Sequence, residues 1–109
     1  MNQDAREQVQ RLQLIEQNLQ ALSGQKQRFQ AQLYEIESAM REVDLTEKAY
    51  KIIGGIMVAT EKDKLKGELS EKQELLKLRI QTLEKQEQQL KERAKKLRES
   101  VVEKSKGNS

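Results

Sequence analysis

The side chains able to do chemistry in this chain are carboxylates, amines and guanidinium groups, because its 109 residues include no cysteine and no histidine. Thiol nucleophiles, imidazole acid–base catalysis and zinc sites with nitrogen or sulfur ligands are therefore excluded. Carboxylates cluster at Glu68, Glu71 and Glu74. General acid–base catalysis needs a sheltered pocket that shifts a carboxyl pKa, and such a cluster on a highly charged helix faces solvent. Gly54-Gly55 runs on into Ile56-Met57-Val58 without the Gly-Lys-Ser/Thr ending of a phosphate-binding loop. Lys91, Arg93, Lys95, Lys96 and Arg98 form the densest basic run, but Glu92 and Glu99 interrupt it and no aromatic residue stands near to stack bases. The expectation is a chain with no catalytic residue, no metal, no cofactor and no nucleic-acid partner.

What the composition favours is helix. Charged residues make up 36% and proline is absent, while Leu, Glu, Lys, Gln and Arg, which lose little rotamer freedom in a helix, dominate. From Ala5 to Val43 the spacings of three and four alternate without a break through Ala5, Gln8, Leu12, Ile15, Leu19, Leu22, Lys26, Phe29, Leu33, Ile36, Met40 and Val43. Only Gln8 and Lys26 are not apolar. This is the seam of a coiled-coil helix. A second heptad places Leu69, Leu76, Leu83, Leu90 and Leu97 seven residues apart, with Gln73, Ile80, Glu87, Ala94 and Val101 between them. Thr60 and Asp63 have the spacing of a capping box, which starts this helix near Glu61.

Between the helices the period changes. Tyr50, Ile52 and Ile53 precede Gly54-Gly55, and Ile56, Met57 and Val58 follow it. Two glycines between β-branched runs suit a tight turn with positive φ at both central residues, so a β-hairpin is expected. The boundaries read as a helix over about 4–45, a hairpin over about 48–60, a helix over about 61–104 and a short disordered C-terminal tail, all in one domain spanning 1–109. The fold class is mainly α: a long antiparallel two-helix coiled coil with one central β-hairpin. Antiparallel pairing sets residues whose numbers sum to 109 against each other, Met40 with Leu69 and Leu12 with Leu97 among them. It also brings the two charged interruptions, Lys26 and Glu87, into adjacent layers, where they are expected to meet and fix register.

Such a hairpin is apolar on both faces and marginal alone. Free edges and uncovered apolar faces invite pairing with other chains, so Tyr50, Ile52, Ile53, Gly54, Gly55, Ile56, Met57 and Val58 are expected to form an assembly surface, joining other subunits' hairpins in a larger sheet or barrel. At the free helix ends, Val9, Leu14 and Val102 lie off the seams, beside the seam residues Leu12, Ile15, Leu97 and Val101. A seam that frays at its end would expose them as a binding surface. The N-terminal Met-Asn-Gln-Asp-Ala-Arg-Glu-Gln has no apolar signal region and no run approaches a membrane span, so a cytoplasmic location without a membrane partner is expected.

The segment from Ala49 to Val58, followed by Glu61-Lys62-Asp63-Lys64-Leu65 entering the second helix and flanked by matched heptads, resembles prefoldin, most closely its archaeal beta-type subunit. Gly55 stands where many relatives have proline. The resemblance implies a hexamer of two alpha-type and four beta-type subunits, joined through a β-barrel of hairpins. It implies an ATP-independent co-chaperone whose coiled-coil tips hold non-native client proteins and pass them to a group II chaperonin.

Overall fold

The computed structural model describes residues 3–107. Its elements run α1 (Gln3–Leu45), β1 (Ala49–Ile53), β2 (Ile56–Thr60) and α2 (Lys62–Gly107). Two long helices around a single antiparallel hairpin are the expected fold class. The described residues fall into two compact units: residues 28–80, which contain the hairpin, and residues 3–27 with 81–107, which contain both helix termini. All the seam positions named above, on both helices, are buried or half-buried, so the heptads identify the faces that the helices hide.

In the hairpin unit the strands pair Ala49 with Thr60, Tyr50 with Ala59, Lys51 with Val58, Ile52 with Met57 and Ile53 with Ile56. Gly54 and Gly55 have φ of 56° and 81°, the pair of positive values that a type I′ turn requires. Below the strands, Val43, Ala49, Leu76 and Ile80 are buried, and the Arg79 guanidinium lies 5.7 Å from the centre of the Phe29 ring. The end of α1 carries no basic residue in its last turn. Its free carbonyls are met from outside: Thr46 Oγ1 donates to Val43 O at 3.3 Å, and Lys62 Nζ donates to Asp44 O at 3.3 Å. Two ion pairs complete this joint, Lys66 with Asp44 and Lys51 with Glu68, the latter at 2.7 Å.

The start of α2 falls near Glu61 as expected, but its cap differs from the sequence expectation. Thr60 is held in β2 by pairing with Ala49, and Glu61 O accepts the first helical bond, from Leu65 N at 3.0 Å. Glu61 therefore stands at the cap, and the Thr60–Asp63 capping box is not formed. The far end of α2 also differs: the helix continues through Gly107, where a tail was expected after about 104. Lys104 and Lys106 in the last turn complement the helix dipole there. Residues 108 and 109 of the expected tail lie outside the described residues.

In the terminal unit Ala5 and Ala94 are fully buried, and Leu83 nearly so. Lys26 Nζ meets Glu87 Oε1 at 2.8 Å, with side-chain exposures of 24% and 10%. The expected meeting of the two seam charges is therefore present. The hydrogen bond to Glu87 raises the Lys26 pKa. Nearer the helix ends, Ser100 Oγ donates to Gln8 Oε1 at 3.2 Å, and Arg98 approaches Glu16 at 3.9 Å.

Two measurements check this account. Lys26→Leu should lower the thermal midpoint by several degrees, because it leaves the Glu87 carboxylate on an apolar seam without its partner; Lys26→Leu with Glu87→Leu should recover it or exceed it. An undisturbed midpoint and an unmoved Glu87 in the single variant would contradict the pairing. The second measurement is of pH. Hydrogen bonds from Lys66 and Lys51 hold the Asp44 and Glu68 carboxyls below the ordinary carboxylate range. Groups shifted down stabilise the fold fully above their unfolded values, about 4, and that contribution is lost as pH falls through the folded values. Melting between pH 6 and 3 should therefore show a shallower acid loss in Asp44→Asn with Glu68→Gln than in the wild type.

Candidate functional site

The hairpin is where the chain leaves most apolar surface uncovered. Tyr50, Ile52, Ile53, Ile56, Met57 and Val58 are between 43% and 72% exposed. The pairing register separates two faces. On one, Ala49 is buried, Lys51 and Thr60 are half-buried, and Lys51 is tied to Glu68 of α2; this face rests on the helix ends at its base and is open only near the turn, at Ile53, Ile56 and Val58. On the other face, Tyr50, Ile52, Met57 and Ala59 are all exposed along its whole length. The Lys51–Glu68 bond ties the inward face to α2.

The terminal unit holds the second group. Leu14 and Val102 are exposed, at 58% and 51%. Val9, Leu12, Ile15, Leu97 and Val101 are half-buried. The seam thus partly covers Leu12, Ile15, Leu97 and Val101, and of the off-seam residues Leu14 and Val102 are open to solvent while Val9 is half-buried. Four further exposed apolar residues were not picked out from the sequence: Leu45, Tyr34, Leu75 and Leu78. All four lie off the heptad seams, and asking which apolar residues the seams leave over would have found them.

The candidates for chemistry are arranged as solvated surface. Glu71 and Glu74 are exposed and Glu68 is engaged with Lys51. A concavity at the hairpin base is lined by Glu47, Glu61 and Asp63 among others, and these three are exposed, so it does not shelter a carboxylate for proton transfer. Among the described residues there is no group of His, Cys, Asp or Glu that could hold a metal ion, and no helix long and apolar enough to cross a membrane. Lys91, Arg93, Lys95, Lys96 and Arg98 are all exposed.

Comparison with known proteins bears on what such an arrangement is. The family model described as "Prefoldin subunit" matches residues 6–108. The chain is 40% identical over 93 residues to prefoldin subunit beta of Pyrococcus furiosus, covering 83% of this chain and 80% of that protein. It is 42% identical over 89 residues to prefoldin subunit beta of Thermococcus kodakarensis, covering 79% and 76%. The crystal structure of the prefoldin beta subunit from Thermococcus strain KS-1 superposes with a TM-score of 0.87 at 34% identity, covering 92% of this chain and 90% of that one. With the heptads, the type I′ hairpin and its outward apolar face in the same order along the chain, these matches lead to one conclusion: the chain belongs to the prefoldin family and is similar to its beta-type subunits.

Proposed function

We propose that this chain is the beta-type subunit of an ATP-independent holdase, a co-chaperone that captures unfolded proteins at its coiled-coil tips and passes them to a group II chaperonin. Membership of the prefoldin family supports a chaperone role, and beta-type subunits form hetero-oligomers with alpha-type subunits. The observation that supports assembly with other subunits is the uncovered apolar surface of the hairpin, six large side chains exposed on ten strand residues, and the observation that supports client binding is the exposed Leu14 and Val102 at the helix ends. Strand surface of that kind is buried by partners or it aggregates.

In this reading the whole chain, 1–109, acts as one domain in the cytoplasm. The outward face of Tyr50, Ile52 and Met57, with Ile53, Ile56 and Val58 near the turn, closes with the hairpins of other subunits into a β-barrel of two alpha-type and four beta-type chains. Clients bind through Val9, Leu14 and Val102 and through the half-buried Leu12, Ile15, Leu97 and Val101 beside them. Contacts of this size are individually weak. Several of them on separate arms of one assembly add through effective concentration, so capture needs no deep pocket and release needs no nucleotide.

The alternative is a scaffold in which the hairpin sets oligomer number and the helix ends bind nothing. The partial cover over Leu12, Ile15, Leu97 and Val101 favours it. The two readings separate in a test of aggregation of a chemically unfolded protein, without nucleotide, by the chain with an alpha-type partner. Serine at Val9, Leu14, Val101 and Val102 should leave oligomer mass unchanged and cut protection several-fold, whereas Ile52→Lys with Met57→Lys should break the assembly itself. Full protection by the serine variant would remove the tips from client binding, and absence of protection by the wild-type complex would leave the scaffold.

A further inference from the structure

The charge of the chain belongs to one of its units. Residues 28–80 contain ten basic and ten acidic side chains, whereas residues 1–27 with 81–109 contain eleven basic and eight acidic, so the net charge of +3 resides in the terminal unit. Within that unit the arginines stand beside the apolar residues. Arg6 precedes Val9 by three positions, Arg11 precedes Leu14 and Ile15 by three and four, Arg93 precedes Leu97 by four, and Arg98 precedes Val101 and Val102 by three and four. Spacings of three and four make neighbours on a helix surface, and all four arginines are exposed. Among the positions three or four residues away from the seven apolar side chains of this surface, Leu12 included, the acidic residues are Glu16, beside Leu12, and Glu99, beside Val102.

Arginine at these positions has a particular chemistry. Its planar guanidinium is weakly hydrated, lies readily against apolar side chains and receives a carboxylate through two parallel hydrogen bonds. The Glu16–Arg98 contact, at 3.9 Å with both side chains more than half exposed, is too loose to occupy that group: exposed pairs are worth little, and a guanidinium has five donors.

From this placement we infer that the terminal unit selects clients by charge. It takes unfolded segments in which carboxylates lie within a few residues of large apolar side chains, and disfavours segments of equal apolar content that carry lysine instead. The inference rests on the holdase reading above and adds the class of client. Each arginine–carboxylate contact at an exposed surface is weak, but the pattern recurs four times in the unit and again on every copy in an assembly, so the preference multiplies. It must also weaken with salt, because the contacts are solvent-exposed.

The test uses the full chain in its assembled form and fluorescence anisotropy with unstructured peptides of one length. Three probes share the same leucines and carry glutamate, serine or lysine between them; a fourth carries the glutamates with serine in place of leucine; a fifth probe is a single-stranded RNA. The glutamate–leucine probe should bind about tenfold more tightly than the lysine–leucine probe at low salt, and the gap should close at about 0.5 M salt, where screening is nearly complete. Arg6→Gln, Arg11→Gln, Arg93→Gln and Arg98→Gln together should abolish the gap while the serine–leucine probe binds as before, with helical content and oligomer mass checked. The salt titration of the wild type tests the same point without any variant. Equal binding of the three leucine probes overturns the charge selectivity and leaves the holdase reading standing; failure of all three overturns both. Binding of the glutamate–serine peptide or of the RNA as tightly as the glutamate–leucine probe also overturns it, in favour of a surface for polyanions in general.

Discussion

A hairpin of β-branched residues resting on the ends of two helices has nothing among the described residues to cover its outward face, and the rest of the structure follows from that. A coiled-coil seam buries one stripe of each helix and no more. Here the stripe is used up by the seam residues, and what remains beneath the strands covers Ala49 and part of Lys51 and Thr60. The outward face of Tyr50, Ile52, Met57 and Ala59 is left open to solvent. Two strands are marginal on their own, so the hairpin needs features that hold it formed before a partner arrives. The glycine pair supplies one, by accepting positive φ at both turn positions without the steric penalty of a Cβ. The ionic joint supplies another, since Lys51–Glu68 fixes the tilt of β1 and Asp44 ties the end of α1 to Lys66 of α2.

The charged interruptions within the seam have the opposite character. Lys26 and Glu87 occupy positions where leucine would bury more surface, and they meet each other instead. Any sliding of one helix past the other would leave a carboxylate and an ammonium against apolar neighbours, which costs far more than the pair contributes. Nearer the termini the uncharged seam residue Gln8 is likewise satisfied across the helices, by Ser100 beside the α2 seam. Polar layers of this kind sacrifice stability and restrict the number of registers that two nearly repetitive helices can adopt.

Much of this was legible in the sequence because the relevant signals are periodic or local. The alternation of three and four identified every buried stripe, and Gly54-Gly55 between β-branched runs identified the turn. Lys26 and Glu87 were legible because each breaks an otherwise apolar series. The features that were missed depend on where separate segments meet. The Thr60–Asp63 spacing fits a capping box, yet strand pairing with Ala49 holds Thr60 outside the helix, and tertiary context overrides the local signal. Asp44 and Lys66 carry no sequence mark of their bond, which exists because the connection turns back at that point. Residues 105–107 at the end of α2 were read as tail, although Ser105-Lys106 contains no breaker and Lys104 and Lys106 suit a helix end. At the terminal unit the seam end was expected to leave its apolar side chains partly exposed; Leu12, Ile15, Leu97 and Val101 are half-buried there, while Ala5 and Ala94 are fully closed off from solvent.

That partial cover changes how surface for binding is supplied there. A fully frayed end would present apolar side chains at all times and would bind its own copies as readily as anything else. Leu14 and Val102 stand open, while Leu12, Ile15, Leu97 and Val101 are half-covered by a seam that also contains Ala5, Ala94 and the Gln8–Ser100 hydrogen bond. Small and polar layers contribute little burial, so separating the helices locally costs little free energy compared with separating a leucine layer. An unfolded segment bearing leucines can repay that cost by covering the exposed side chains, and a segment without them cannot. On the holdase reading, the amount of apolar surface offered would then be set by what binds to it, and loose holding of many sequences would need no permanently open seam.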